Sequence, residues 1–391
     1  MKSLGFLLVL VLMLAAGCES AGGAVVFAPT ALPPDQSAMT YTHPSGAFSL
    51  DVPRRWAASE QYTTQLASVA FSPPDSDSAA LTVRALRLSE AESGGFAAFL
   101  DRYQAELRPD AENYTEVARE PLGDGSWRIT GYQAMPGGTH AVNTFIEQDG
   151  ALVAVTEVTL QKGSRWWQDL EAAVNSVRLH ADHTLQPGDA SVLAAPLSST
   201  LDIVHTTGWT TPDGVFYVTG EVRNGLPDTV AAFPVEVVLT TADGTPLAGA
   251  SDLIMSDGVP PGGYAPFSLR FGGGQPEAAR SYRVRIGGES WVPQAAPDVI
   301  GSDSLIWTDE SGYESDGALV VSGEIRNASD VPARAIRATV TVFNAEQAVI
   351  GAASQIVSAS LGPGEPIAYR FVFQELGGAP AQYVVNVQGR P

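Results

Sequence analysis

The segment Phe216-Tyr217-Val218-Thr219-Gly220-Glu221-Val222-Arg223-Asn224 returns 103 residues later as Leu319-Val320-Val321-Ser322-Gly323-Glu324-Ile325-Arg326-Asn327. Recurrence at fixed spacing marks two copies of one structural unit. At the same offset Phe233, Val235, Val237 and Leu239 become Ile336, Ala338, Val340 and Val342. Pro261-Gly262 returns as Pro363-Gly364, and Tyr282 to Ile286 as Tyr383 to Val387. Each matched segment alternates apolar with polar residues, and Gly, Pro and Asp turns separate them; Asp243-Gly244 is one hairpin signal. No helical stripe occurs in either copy. The pattern predicts two seven-stranded β-sandwiches, residues 200–290 and 303–391, joined by a linker at 291–302.

Period-two alternation places Val218, Gly220 and Val222 on one face of the repeated strand and Glu221 and Arg223 on the other. The first set is expected to face the core, with Gly220 marking a close approach. Glu221 with Arg223, like Glu324 with Arg326, is expected to form a solvated same-face ion pair. Asn224 and Asn327 end their strands, where a side-chain amide can satisfy turn backbone. The Gly-Glu-apolar-Arg-Asn segments, with the later strands Val237 to Thr241 and Val340 to Asn344, resemble the FxLYD domain. The resemblance implies an immunoglobulin-like module of prokaryotic surface proteins.

Upstream, residues 39–180 read as a different kind of domain. Strands are expected near 48–52, 68–72, 80–88, 127–134, 141–147 and 152–160, with a hairpin at Gln148-Asp149-Gly150. Phe96, Phe99, Leu100, Tyr103 and Leu107 share one helical face, entered through a Ser89/Glu92 capping box. A second helix is predicted over Arg165 to Val177, burying Trp166, Leu170, Ala173, Val174 and Val177. Strands interleaved with helices predict an antiparallel sheet covered by helices, an α+β domain. The element order, the opening Gly46-Ala47-Phe48-Ser49-Leu50-Asp51-Val52-Pro53 with Trp56, and the closing Asn175-Ser176-Val177-Arg178-Leu179 resemble the PsbP-like fold. That resemblance implies an α/β/α sandwich used in binding or assembly, with no shared catalytic set. The fold class expected is therefore multidomain: a PsbP-like α+β domain, a linker at 181–199, and two immunoglobulin-like all-β sandwiches.

The chain starts MKSLGFLLVLVLMLAAGCES. Lys2 precedes a 13-residue apolar run, Leu4 to Ala16, too short to span a bilayer and of signal-peptide length. Ala15-Ala16-Gly17-Cys18 resembles a bacterial lipobox, which implies cleavage after residue 17 and lipidation of Cys18, the sole cysteine. Residues 18–38, rich in Ala, Gly and Pro, are expected to be a flexible tether with a span of roughly 25 Å. The expected location is the cell membrane, lipid-anchored and facing outward.

A formal charge of −21 excludes nucleic-acid binding by general electrostatics. Only Lys2 and Lys162 are lysines. His180-Ala181-Asp182-His183 looks like a metal fragment but has no identified further ligand, and surface histidines are expected. Asp303, Asp309, Glu310, Glu314 and Asp316 crowd the start of the second repeat without the spacing of a calcium loop. Gly272-Gly273-Gly274 precedes a strand, so it is a loop and not a phosphate cradle. His43 and His140 lack an obvious nucleophile. The sequons at Asn113 and Asn327 carry little weight in a bacterial lipoprotein. The expectation is a non-enzymatic binding or assembly protein, without cofactor or metal, with a protein partner in the envelope and the sandwiches as spacers or interaction domains. The alternative is an accessory lipoprotein that captures a small ligand.

Cys18→Ser is expected to abolish acylation and release the protein from membranes, or stall it as precursor. Intact-mass analysis and membrane fractionation check this.

Overall fold

The computed structural model describes residues 29–391 apart from 75, 77–78, 90–98, 104–112, 136–137, 181–184, 189, 195–199, 227, 289–290 and 297. The signal peptide, Cys18, Asp182, His183 and the outer turns of the first helix lie outside the described residues.

The first domain holds two sheets. Strands β1 (Ala38–Thr42) and β2 (Phe48–Pro53) pair antiparallel, and a short β10 (Arg178–Leu179) joins the other edge of β2. The larger sheet contains β3 (Ala57–Tyr62), β4 (Leu66–Ser72), β5 (Ala79–Leu88), β6 (Tyr114–Pro121), β7 (Trp127–Met135), β8 (Gly138–Asp149) and β9 (Leu152–Gln161). Its order is β3-β4-β5-β9-β8-β7-β6, and all these pairs are antiparallel. The β8–β9 hairpin turns through Gly150, whose φ of +61° suits glycine. Helix α1 (Trp167–Asn175) packs on one face with the β1–β2 sheet, burying Phe48, Leu50, Trp56, Val69, Trp166 and Leu170. On the other face Phe99, Leu100 and Tyr103, in a helical stretch at 99–103, pack against Leu86, Ile129 and Val153. β1, β3 and β6 were not foreseen. Each is a mostly exposed or half-buried edge strand, and its apolar alternation is weak.

The region 181–199, expected as a linker, is in its described part packed on the first domain. Leu185, Ala190 and Leu193 are buried, β11 (Pro187–Gly188) runs parallel to β5, and Arg84 Nη1 donates to the Leu193 carbonyl at 2.8 Å. Two leucines spaced to reach both cores outweigh a linker-like composition.

In the first repeat β12 (Leu201–Thr210), β13 (Phe216–Asn224) and β18 (Tyr264–Phe271) make one sheet; β15 (Pro234–Thr240), β16 (Pro246–Leu253) and β19 (Ser281–Ile286) make another. A separate two-residue ladder pairs β14 (Val230–Ala231) with β17 (Gly258–Val259). In the second repeat β20 (Leu305–Tyr313), β21 (Leu319–Asn327) and β24 (Pro366–Phe373) lie in one sheet, and β22 (Ala333–Phe343), β23 (Val349–Leu361) and β25 (Gln382–Arg390) in the other. Seven strands were expected in each copy; the first has eight and the second six. The difference lies in two breaks in the first copy, at 232–233 between β14 and β15 and at 254–257 between β16 and β17. At the place equivalent to the first break, β22 runs through with only a bulge between Ile336 and Arg337.

The repeated strand is built as its pattern requires on the core side. Val218, Val222, Val321 and Ile325 are fully buried. A Cβ on Gly220 would lie 2.7 Å from the Phe267 ring, and one on Gly323 2.7 Å from the Tyr369 hydroxyl. Asn224 and Asn327 are also fully buried. Asn224 Nδ2 donates to the carbonyls of Asp228 and Val259 at 2.9 and 2.7 Å; Asn327 Nδ2 donates to those of Val331 and Leu361 at 2.7 and 3.0 Å. A glycan on Asn327 has no room.

Residues 31–391 group as one unit. The described end of the expected tether is a strap laid on the second repeat. Ser311 Oγ donates to the Leu32 carbonyl at 2.8 Å. Asp35, fully buried, donates its amide to Asp309 Oδ2 at 2.7 Å and accepts the Val385 amide at 2.8 Å. The 291–302 segment is likewise not a free linker: Ile300 bridges to Gly389, and the Trp291 ring lies 5.0 Å from that of Phe233. Trp166 Nε1 donates to Asp303 Oδ1 at 3.1 Å, joining the first domain to the second repeat.

Burial, and then the neighbouring Asp309, hold the Asp35 carboxyl well above its ordinary value near 3.8, against the pull of Arg55 and the Val385 amide. Below that ordinary value the group is protonated in folded and unfolded chains alike. Above it the unfolded chain ionises while the folded one keeps its proton, so stability falls as pH rises until the folded group ionises too. Asp35→Asn is expected to flatten this slope and to raise stability at neutral pH. Thermal unfolding of both proteins across pH measures it.

Candidate functional site

The outer face of β13, expected to be solvated, instead faces a cleft of about 660 Å³ where the first domain meets both repeats. β1 to β3 supply Tyr41, Trp56 and Glu60; the first repeat supplies His205, Glu221 and Tyr264; the second supplies Phe343 and Gln347. Glu221 is only 6% exposed. Its Oε2 lies 2.8 Å from His205 Nδ1, so its partner is His205 and not Arg223. Arg223 forms an ion pair with Asp202 and donates to Ser59 Oγ at 3.0 Å, reaching across to the first domain. In the second repeat the expected pair forms, with Arg326 Nη2 3.5 Å from Glu324 Oε1 and both side chains about half exposed. The same strand therefore has a solvated outer face in one copy and a covered one in the other.

Two of the three left-handed non-glycine residues among those described line the cleft, the third being Ala335 in β22. The two, His205 (φ +55°) and Gln347 (φ +63°), hold conformations that residues other than glycine seldom adopt. His205 sits in the bulge between Val204 and Thr207, which turns its ring out of the strand onto Tyr264. The two rings stack at 5.9 Å with 11° between planes, and Phe343 meets His205 edge-on at 6.0 Å. Opposite, Tyr41 donates to Glu60 Oε1 at 2.7 Å and meets Phe71 edge-on at 5.0 Å. The Tyr264 hydroxyl donates to the Ala58 carbonyl, a second bond across the domain boundary. Burial raises the Tyr264 hydroxyl well above its usual range; the charges of Glu221 and Glu60 add to this and Arg223 opposes it. Burial and Glu60 do the same to Tyr41. Both phenols are neutral donors at physiological pH.

The other candidates disperse. Asp303 accepts from Trp166 and Ser76, Asp309 from Asp35 and Tyr383, and Glu314 pairs with Arg370. Among the described residues no group of three His, Cys, Asp or Glu side chains is placed to hold a metal ion. His43 and His140 are buried, and His180 Nε2 lies 3.0 Å from Ser49 Oγ. Burial lowers the His43 ring below its usual range. Gly272 to Gly274 form a loop between β18 and β19. Sequence reasoning missed Tyr41, Glu60, His205 and Tyr264. They lie in four strands, and only the packing of the first domain against the first repeat assembles them.

No family model matches this chain, and no curated protein matches it. Solved structures resemble parts of it at low identity. Cyanobacterial PsbP from Synechocystis sp. PCC 6803 is 10% identical, over 37% of this chain and 94% of that one, with a TM-score of 0.30. A Bacteroides thetaiotaomicron protein is 16% identical over 38% of this chain, a match that spans half of its own length, with a TM-score of 0.24. A Pseudomonas aeruginosa protein of unknown function described as a putative regulator is 12% identical over 32% of this chain and 83% of that one, with a TM-score of 0.21.

The unequal environments of the two glutamates give a direct comparison. Glu324→Ala is expected to cost about 0–1 kcal/mol, as for an exposed pair. Glu221→Ala is expected to cost about 1–3 kcal/mol, because it strips a nearly buried hydrogen bond. Chemical denaturation of the two variants checks the order.

Proposed function

We propose that this is a non-enzymatic, lipid-anchored binding protein of the bacterial envelope, and that the three-domain cleft holds its ligand. The cleft carries the reading: about 660 Å³ with aromatic walls and a few converging polar groups is the usual form of a small-molecule site. Left-handed backbone at His205 and Gln347 supports it, since such strain gathers at functional positions. Lipidation of Cys18 and outward-facing membrane attachment complete the proposal, on the lipobox-like sequence. Among the described residues no helix is long and apolar enough to cross a membrane. We take the first domain as PsbP-like and the repeats as immunoglobulin-like modules of the FxLYD type, on the sequence motifs. Their role here is to build two walls of the site as well as to space it.

A protein-docking role has its own observation. Val117 on the edge strand β6 and Tyr132 and Met135 on β7 are exposed. An edge strand with apolar side chains offers unpaired backbone to a partner.

Native mass spectrometry of protein extracted from its own membrane tests the choice. A small-molecule adduct is expected, lost in Val204→Trp, which fills the cleft. A stoichiometric protein partner with no such adduct would favour docking.

A further inference from the structure

We infer that the cleft recognises a small organic cation, an ammonium group carried on an apolar or aromatic body. The inference rests on the cleft being the ligand site.

Three arginines line the cleft; Arg55 Nε and Nη1 are shut away from solvent and have no hydrogen-bond partner among the described residues. Arg223 is neutralised by Asp202. The Arg55 guanidinium lies between the rings of Trp166 and Trp307, 5.4 and 5.3 Å from their centroids, beside the buried Asp35. Arg54 Nε donates to Ser37 Oγ at 3.1 Å.

The two carboxylates are differently placed. Glu60 accepts a neutral phenol, Tyr41, and Glu221 meets only the His205 ring. Neither has a Lys or Arg partner among the described residues. Both line the cleft with Tyr264, whose hydroxyl feels Arg223 first and then the two carboxylates. Glu221 is more than nine-tenths buried, and a carboxylate so desolvated gains most from a matching charge. The cleft is also lined by the rings of Tyr41, Phe71, Tyr264 and Phe343, whose faces attract cations. Carboxylates that lack a cation, set among aromatic rings, fit an ammonium and repel a carboxylate ligand. The net charge of −21 adds attraction at long range and low salt.

Two near-isosteric probes of opposite charge separate the possibilities: 2-phenylethylammonium and phenylacetate, titrated calorimetrically into the full-length protein. The ammonium is expected to bind about tenfold or more tighter than phenylacetate, weakening as salt is raised. Glu60→Gln, at an exposed position and keeping an acceptor for Tyr41, is expected to lower ammonium affinity several-fold; Glu221→Gln is expected to lower it more. Val204→Trp is expected to abolish binding. Tighter binding of phenylacetate, or binding indifferent to both glutamate variants, would overturn the cation assignment while leaving the cleft as the site. Binding of neither probe, or binding that survives Val204→Trp, would overturn the cleft reading as well.

Discussion

Asp35 takes the Val385 amide on its carboxyl oxygen and gives its own amide to Asp309, joining the start of the described chain to β20 and β25 near its end. Tyr383 donates a further bond to Asp309 at 2.6 Å. Burial makes these bonds strict, since any polar group left unpaired there costs about 1–3 kcal/mol. Because residues 38–53 follow directly as β1 and β2, the strap brings the first domain onto the second repeat. With Trp166 on Asp303, it closes three domains into one unit, and the cleft exists only because that closure occurs.

The two repeats show how one sequence pattern serves two environments. Their core faces are equivalent: buried valines and isoleucine, a glycine beneath an aromatic ring, and an asparagine that ties the strand end to two carbonyls. Their outer faces differ. Glu324 and Arg326 remain in water, where their attraction is screened. Glu221 faces the cleft and pairs with His205 of its own repeat, while Arg223 pairs with Asp202 and reaches Ser59 of the first domain. Even the strand count differs, because two breaks in the first copy have no counterpart in β22 and β23 of the second.

The cleft combines rigid walls with polar groups of specified protonation. Tyr41 and Tyr264 are held neutral by burial and by nearby carboxylates, so they act as donors, and each uses its proton inside the protein. His205 is turned toward the cleft by a bulge, a device that re-aims a side chain without interrupting the sheet. Such a surface is suited to holding a ligand, with aromatic area for contact and buried charge for selection.

Local pattern determined a good part of this protein. Alternation located the repeated strands and their core faces; the i, i+3, i+4 spacing located Trp166, Leu170, Ala173 and Val174 on α1; and the strand-ending asparagines announced their turn bonds. These features depend on residues within a few positions of one another, so the chain alone reveals them. The tertiary structure alone decided what became of the polar faces and low-complexity joints. Glu221 and Glu324 stand in the same repeated motif, and the fold separates their fates: one lies in the cleft beside His205, the other in water. Asp35, in a run of Ala and Pro, reads as solvated tether until Asp309 and Val385 meet it from the far end of the chain. Burial is a property of the partner surface, and that surface lies hundreds of residues away.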